Sequence, residues 1–277
     1  MNKTLRQVLD HSAQDLSKVS DSAMREARCL LAEVLSCSRE WLYTHSEETL
    51  SSKQYELYQS LLVRRMQGEP IAYILGRRGF YDLELEVTPD VLIPRPDTEC
   101  LVDFILARQP NAPKRVLDLG TGSGAIALAL GHARPSWSIL AVDFSNAALA
   151  VAQRNAARYQ CENVVFQQSD WFAAIAPQRF DIIVSNPPYI AENDEHLSAL
   201  KYEPVSALTA GHDGLDDIGS ILEAARAYLA EGGMLVLEHG YDQSEGVADC
   251  AHRLGYKKCL THKDLSGNDR FISITLG

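Results

Sequence analysis

The residues best suited to chemistry stand together in the run Asn186-Pro187-Pro188-Tyr189. The side chain of Asn186 offers a carbonyl acceptor, and Pro187 provides a second carbonyl beside a nitrogen that cannot donate. Two adjacent carbonyl oxygens can accept both N–H bonds of a planar NH2 group, and Tyr189 can supply a flat face for stacking. We therefore predict that this run binds and orients a planar, nitrogen-bearing substrate; a rigid turn that only ends a strand is the alternative.

The residues just before this run indicate how it is held. The apolar segment 182–184 is typical of a short strand that is buried on both faces of a parallel sheet. Because the two prolines cannot donate to a sheet, the strand must end at Asn186, and a residue before proline is kept extended. Open α/β sheets bind ligands at the carboxyl ends of their strands, so we expect Asn186 to face a ligand.

Three more polar groups follow predicted strands. The strand 115–119 leads into a glycine-rich loop, which lets backbone N–H groups approach a ligand at the start of a helix. Asp143 ends the next strand and is placed to accept both hydroxyls of a ribose. Asp170 and Trp171 follow the third strand and could bracket an adenine by hydrogen bonding and stacking. The loop consists of Gly120, Thr121, Gly122, Ser123 and Gly124.

A proline-rich arm precedes this region in the run 92–99. Two prolines flank Arg95 and predict a stiff, non-helical arm, and Asp97 or Thr98 can cap a helix over about 98–108. A cation fixed between prolines favours a contact with a ligand carboxylate or with the substrate over a solvated turn. We therefore include Arg95 among the predicted substrate-binding residues.

The sequence predicts three regions. Residues 1–76 show helical spacing of apolar residues, residues 77–93 alternate as in a strand or hairpin, and residues 94–277 alternate strands with helices, as in a parallel sheet. The helical region could stabilise its neighbour or dock a partner, and the polar stretch 191–216 could be a lid or a surface loop. The predicted strands are 115–119, 138–142, 163–168, 180–185 and 234–238, with 270–276 and a weaker segment near 256–260 at the edge.

Composition limits the class of protein. The 277 residues carry a net charge of −11, which disfavours tight, direct binding to nucleic acid. The six cysteines show no C-x-x-C spacing, so we expect neither a metal site nor a disulfide framework. No signal peptide or membrane-length apolar run is visible, and we expect a cytoplasmic protein without membrane contact.

With these motifs in place, the chain resembles class I S-adenosylmethionine-dependent methyltransferases, through the loop after Asp118 and the Asn-Pro-Pro-Tyr run. Within that superfamily it resembles the PrmC/HemK family from end to end. The residues that carry this narrower resemblance are Gly68-Glu69-Pro70-Ile71-Ala72-Tyr73, the arm Leu92-Ile93-Pro94-Arg95-Pro96-Asp97-Thr98-Glu99 and Leu237-Glu238-His239-Gly240.

The resemblance implies a Rossmann-like α/β domain with a seven-stranded, mostly parallel sheet, preceded by a small helical bundle and a β-hairpin linker. It implies that S-adenosylmethionine donates a methyl group to the glutamine amide of the Gly-Gly-Gln motif in class 1 peptide chain release factors, which the bundle would dock. The implied cofactor-binding residues are the glycine loop, Asp143, Asp170, Trp171 and Asn186, and the implied substrate-binding residues are Asn186, Pro187, Pro188, Tyr189 and Arg95, with Asn186 and Pro187 catalytic.

Other functions remain as alternatives. An N6-adenine methyltransferase would present an equally planar NH2 group to the two carbonyls, after flipping a base out of its stack. A nicotinamide-dependent dehydrogenase would use the loop and Asp143 but would leave Asn186 to Tyr189 unexplained. A binding scaffold would need none of these motifs. His239 is interpreted as a structural histidine at the edge of the core.

Overall fold

In the computed structural model, which describes residues 3–275, the chain divides into two units after Gly76. The first unit is built from helices whose apolar faces enclose one buried cluster, including Leu30, Leu31 and Tyr58. Its helices are α1 (Leu5–Leu16), α2 (Ala23–Leu35), α3 (Arg39–Thr44), α4 (Ser52–Met66) and α5 (Ile71–Leu75).

The ends of these helices follow local signals. Thr4 and Ser51 each form a capping box with the glutamine three residues later, which satisfies backbone N–H groups at the helix start. Gly76 ends α5 with a φ of 70°, a left-handed conformation that glycine adopts easily. The short α3 was not predicted. Ser22 is the N-cap of α2, but its hydroxyl makes no capping bond within the described chain.

The second unit begins with an antiparallel hairpin of β1 (Arg77–Phe80) and β2 (Leu83–Glu86). Phe80, Leu83 and Leu85 are buried and belong to the core of this unit. The alternation that predicted a strand or hairpin therefore reflects a real division into buried and exposed faces.

A seven-stranded sheet organises the rest of the second unit, in the order β5-β4-β3-β6-β7-β9-β8. The first five strands in this order are parallel, and β9 runs antiparallel to both of its neighbours. The strands are β3 (Arg115–Leu119), β4 (Ser138–Asp143), β5 (Val164–Gln168), β6 (Phe180–Ser185), β7 (Leu229–Glu238), β8 (Lys258–Lys263) and β9 (Asp269–Thr275). The helices are α6 (Glu99–Arg108), α7 (Ala125–Ala133), α8 (Asn146–Tyr159), α9 (Asp216–Ala225) and α10 (Ser244–Arg253).

The central strands carry apolar residues on both faces because helices cover both sides of the sheet. On β6, Ile182 and Val184 pack into one apolar cluster, whereas Ile183 packs into the other. All three are fully buried. These features confirm the predicted α/β fold, with a mostly parallel seven-stranded sheet that follows a helical region and a hairpin.

Three local predictions need correction. The arm is not wholly non-helical, because Pro96–Thr98 forms a 3-10 turn in which proline fixes the φ of the first residue. β7 begins at Leu229 rather than Met234, since the chain continues in the strand through Gly232 and Gly233 with an irregular register against β6. β9 begins at Asp269, and Leu276, the predicted last residue, lies outside the described residues.

Within residues 3–275, no helix is both long enough and apolar enough to cross a membrane.

Candidate active site

Asn186 lies directly after β6, at the edge of the sheet where the parallel strands end. Its side-chain Nδ2 donates to the Thr98 Oγ1 at 3.3 Å, and the preceding Ser185 hydroxyl donates to the Leu119 carbonyl at 2.7 Å. Pro187 and Pro188 are buried, while Asn186 is half-buried. The polar end of β6 is therefore fixed to both the arm and β3.

A cavity of about 380 Å³ opens at this edge of the sheet. Four successive strand ends contribute to its wall, so the structure brings together groups that are up to 66 residues apart in the chain (from Gly120 to Asn186). The predicted site residues that line it are Gly120, Gly122, Asp143, Asp170, Trp171, Asn186 and Pro188.

A second cavity of about 340 Å³ adjoins the first on the other side of Asn186. Arg95, Pro187 and Tyr189 line it, and Asn186 borders both cavities. Thr121 and Ser123 line a smaller cleft that also contains Asn186. Asn186 thus stands between a larger space at the glycine loop and a smaller space at the proline arm.

Two hydrogen bonds of Thr121 fix the conformation of the glycine loop. The Thr121 hydroxyl donates to Asp118 at 2.6 Å and its backbone N–H donates to Val142 at 2.9 Å. Gly122 has a φ of 56°, and a Cβ added there would point into open space. Gly124, the last predicted loop residue, is the N-cap of α7, where a Cβ would come within 3.0 Å of Leu128.

Asp143 connects three segments at the cavity wall. Its Oδ2 accepts from the Gly122 N–H at 2.8 Å, and its Oδ1 accepts from the Ser145 N–H at 2.9 Å. Its backbone carbonyl accepts from Ser169 at 3.0 Å. Burial raises the pKa of the Asp143 carboxyl, and the two backbone hydrogen bonds oppose that rise. The carboxylate is therefore fixed in orientation and keeps lone pairs for hydroxyl donors.

Two aromatic side chains border the same cavity. Trp171 adopts a φ of 43°, and its Nε1 donates to Asp217 at 3.2 Å. Its ring lies 3.4 Å from the position that a Cβ on Gly120 would occupy, so a larger residue there would touch the ring. Phe144 is 71% exposed and lines the cavity. Phe144 was missed in the sequence, although its position directly after Asp143 could have indicated it.

Arg95 has an internal partner that the sequence did not indicate. Its Nη2 donates to Glu203 at 2.7 Å, and the same carboxylate accepts from the Ile93 N–H at 3.1 Å. Glu203 is only 6% exposed and belongs to the stretch 191–216. The arm is thus tied to that stretch, and the role of Arg95 in substrate binding stays a prediction.

Family models match most of the chain. The PrmC N-terminal domain model matches residues 7–76, and the Methyltransferase small domain model matches residues 97–203. The release factor glutamine methyltransferase of Escherichia coli (strain K12) is 47% identical over 262 residues, which is 94% of each chain. The release factor glutamine methyltransferase of Coxiella burnetii is 44% identical over 270 residues, 97% of this chain and 98% of that protein. The chain belongs to the release factor glutamine methyltransferase family.

A solved structure supports the fold of this methyltransferase. The Thermus thermophilus 16S rRNA N2 G1207 methyltransferase, in complex with AdoMet and guanosine, superposes with a TM-score of 0.55 at 20% identity. The match covers 72% of this chain and 49% of that chain. At this identity the likeness concerns the fold, which is the Rossmann-like fold expected of a class I methyltransferase.

The large cavity of the methyltransferase fits a nucleoside that carries a charged chain. Asp143 supplies a fixed acceptor, Trp171 and Phe144 supply aromatic surface, and Gly122 leaves space that a Cβ would occupy. These donor and acceptor types match S-adenosylmethionine, which has ribose hydroxyls, an adenine and an amino-acid end. Across the described residues, no group of three or more His, Cys, Asp or Glu side chains lies close enough to hold a metal ion.

The buried carboxyl of Glu238 behind Asn186 was not predicted as part of the site. The Tyr189 hydroxyl donates to Glu238 at 3.3 Å, so this hydroxyl points into the protein while the ring lines the second cavity. Burial raises the pKa of Glu238 to about 7. Glu238 is the last residue of β7, and Asn186 directly follows β6. The two residues are neighbours only because β6 and β7 are adjacent in the sheet. His239 is fully buried and contacts the Gly240 carbonyl at 2.7 Å through Nδ1, and burial lowers its pKa.

Proposed function

We propose that this chain transfers a methyl group from S-adenosylmethionine to the side-chain amide nitrogen of the glutamine in the Gly-Gly-Gln motif of class 1 peptide chain release factors. The observation that carries the proposal is the near full-length identity of 44–47% to release factor glutamine methyltransferases. The position of Asn186 between the two cavities supports it, because methyl donor and substrate must meet at one point.

The residues around the second cavity would hold the glutamine. Nδ2 of Asn186 is turned towards Thr98, so its Oδ1 is the atom available to a substrate. Oδ1 and the Pro187 carbonyl would accept the two N–H bonds of the glutamine amide and orient its nitrogen. An amide nitrogen is a weak nucleophile, so orientation is the main contribution of the protein, and well-placed groups reach effective molarities of about 10⁵–10⁸ M. The buried prolines and the ring of Tyr189 would fix the shape of the slot.

The residues around the first cavity would hold the cofactor. Asp143 would accept the ribose hydroxyls, Asp170 and Trp171 would contact the adenine, and Gly120 to Gly124 would face the methionine part. When bound, S-adenosylmethionine supplies a methyl group on a positively charged sulfur, so the difficult chemistry belongs to the cofactor. The chain's own residues bind, orient and shield the reacting groups.

The partner and the compartment follow from this assignment. Residues 1–76 would dock the release factor, supported by a family model of their own and by a separate apolar core. A release factor substrate supports a location in the cytoplasm. N6-adenine methyl transfer is not favoured, because the curated relatives are named for glutamine methylation and the net charge of −11 repels a phosphate backbone.

The test is transfer of a labelled methyl group from S-adenosylmethionine to a purified class 1 release factor. We expect label in the native factor and none in a factor whose Gly-Gly-Gln glutamine is replaced by glutamate, which has no amide nitrogen. Equal labelling of both factors, or labelling of a DNA or RNA duplex instead, would refute the proposal.

A further inference from the structure

Two polar contacts lie behind Asn186, and the catalytic role of Asn186 does not by itself explain them. Asn186 Nδ2 donates to Thr98 Oγ1 at 3.3 Å, and the Tyr189 hydroxyl donates to Glu238 Oε1 at 3.3 Å. Thr98 is 3% exposed and Glu238 is 1% exposed. Three elements contribute: the arm before α6, the end of β6 and the end of β7.

The burial of Glu238 at this point is unfavourable for stability. Its Oε2 is buried and finds no hydrogen-bond partner meeting ordinary geometry among the described residues. Burial raises the pKa of Glu238 to about 7, whereas interactions with the Thr98 hydroxyl, Arg270 and Tyr189 hold it down. Burying a carboxylate without full pairing is unfavourable unless it gains hydrogen bonds elsewhere. A positioning role would account for its presence.

The Thr98 hydroxyl can act in two ways towards Asn186. A hydroxyl has one proton to donate, and its oxygen can also accept. If the proton is directed at Glu238, the oxygen can only accept from Asn186 Nδ2, which leaves Oδ1 facing the substrate. If the proton were directed at Asn186 instead, the amide would turn over and present NH2 to the substrate NH2. In that second arrangement the NH2 groups of Asn186 and of the substrate face each other. Neither can accept a hydrogen bond, so the glutamine amide is not held.

We infer that Glu238 and Thr98 are positioning residues that set the orientation of the Asn186 amide: Glu238 takes the proton of the Thr98 hydroxyl, and Thr98 then accepts from Asn186 Nδ2. The inference rests on the proposed function, because the substrate amide defines which orientation is productive. Neither residue touches the substrate. The nearby Arg270 lies 3.4 Å from Asp97 and 3.2 Å from Asp264, so its single positive charge is shared with two carboxylates besides Glu238.

The test compares Thr98→Val with Thr98→Ser. Valine keeps the shape but removes the hydroxyl, and the Thr98 hydroxyl makes no capping bond to α6 in the described chain, so the helix start is kept. We expect Thr98→Val to lower the turnover number on the release factor by about ten- to a hundredfold, the range typical of losing a residue that orients another functional side chain. The affinity for S-adenosylmethionine should change by no more than about twofold. Thr98→Ser should recover most of the turnover.

A double-mutant comparison ties Glu238 to Thr98. Glu238→Met should lower the turnover number in the native background but have little further effect in the Thr98→Val background, where no hydroxyl is left to orient. Thr261→Val on the exposed face of β8 makes the same chemical change away from the site and should leave turnover unaffected. Circular dichroism and urea unfolding would show that each variant is folded.

The outcomes separate this inference from the proposed function. An inactive native enzyme would refute the proposed function itself. An active native enzyme with equal turnover in Thr98→Val would overturn the inference, as would loss of activity in Thr98→Ser to the same extent as in Thr98→Val. If Glu238→Met fails to fold, the serine and valine pair still decides the role of the hydroxyl.

Discussion

At the scale of single residues, the site depends on which atoms are left free after the internal hydrogen bonds are made. Asn186 uses Nδ2 on Thr98, and Asp143 uses one lone pair of each oxygen on backbone N–H groups. Both side chains are thereby fixed before any ligand binds, and a fixed acceptor loses less entropy on binding than a mobile one.

Asn186→Ala removes one of the two carbonyls proposed to hold the substrate amide. We expect the turnover number to fall by about 10²–10³-fold, the scale of removing one oriented group from a catalytic site. Binding of S-adenosylmethionine, measured by calorimetry, should change only a few-fold. The matched control is Asn111→Ala, because Asn111 is exposed and is far from Asn186 in the sequence. Unchanged turnover in Asn186→Ala would contradict the proposed grip on the amide.

Asp143→Ala removes the proposed acceptor for the ribose hydroxyls. We expect calorimetry to show weaker binding of S-adenosylmethionine by about 1.5–3 kcal/mol, the value of a hydrogen bond to a charged group. The loop also loses the bond from the Gly122 N–H, so Asp143→Asn, which keeps an acceptor of the same shape, should lose less affinity. Equal affinity of the native protein and of Asp143→Ala for S-adenosylmethionine would contradict the proposed role of Asp143 in binding the ribose.

At the scale of elements, the hairpin and the glycine loop are joined through one buried side chain of α8. Asn155 Nδ2 donates to the carbonyls of Glu86 and Ser123 at 3.0 and 2.9 Å, and its Oδ1 accepts from the Glu86 N–H at 2.7 Å. It is 1% exposed. The second strand of the hairpin and the loop are therefore held at a fixed spacing by α8, which also contributes Ala148 to the wall of the large cavity.

Asn155→Ala should lower the free energy of unfolding by about 2–3 kcal/mol, because a buried backbone N–H and two carbonyls lose their partner. Urea unfolding at neutral pH measures this change. Gln153→Ala, on the exposed face of the same helix, should change stability by no more than about 0.5 kcal/mol. A similar loss in both variants would show that the effect belongs to the helix and not to the buried bonds.

Elements were predictable from the sequence where local signals are strong. The bounds of β3 and β6 match their apolar runs, since each is buried on both faces and flanked by polar or proline residues. α3 has only six residues and carries little periodic signal. The contacts of Thr98 with Asn186 and of Glu203 with Arg95 could not be predicted, because they join residues 88 and 108 positions apart. The contact of Glu238 with Tyr189 depends on the order of strands in the sheet.

At the scale of the whole molecule, buried carboxyls make stability depend on pH. Burial raises the pKa of Asp118 to about 7, although the Thr121 hydroxyl opposes the rise. In an unfolded chain an Asp titrates near about 3.9. Between these values the folded chain keeps a proton that the unfolded chain has lost, so the free energy of unfolding falls as pH rises through this window. Glu238 contributes in the same direction.

Asp118→Asn should reduce this loss of stability, because the amide does not ionise while it keeps the shape of the carboxyl. The measurement is urea unfolding at about pH 5 and at about pH 8, on either side of most of the titration. Asp249→Asn, at an exposed position, should leave the native pH dependence in place. An identical pH dependence in the native protein and in Asp118→Asn would show that Asp118 does not titrate on unfolding.

The most direct test of the central claim is the site of methylation on a native class 1 release factor. The factor is incubated with this protein and S-adenosylmethionine, digested, and its peptides are analysed by tandem mass spectrometry. We expect one added methylene, on the peptide that holds Gly-Gly-Gln and on the glutamine side chain, with about 10²–10³-fold slower formation of this product by Asn186→Ala. A methyl group on any other residue would contradict the proposed function. An unmodified release factor, when this protein is shown to bind S-adenosylmethionine, would contradict it as well.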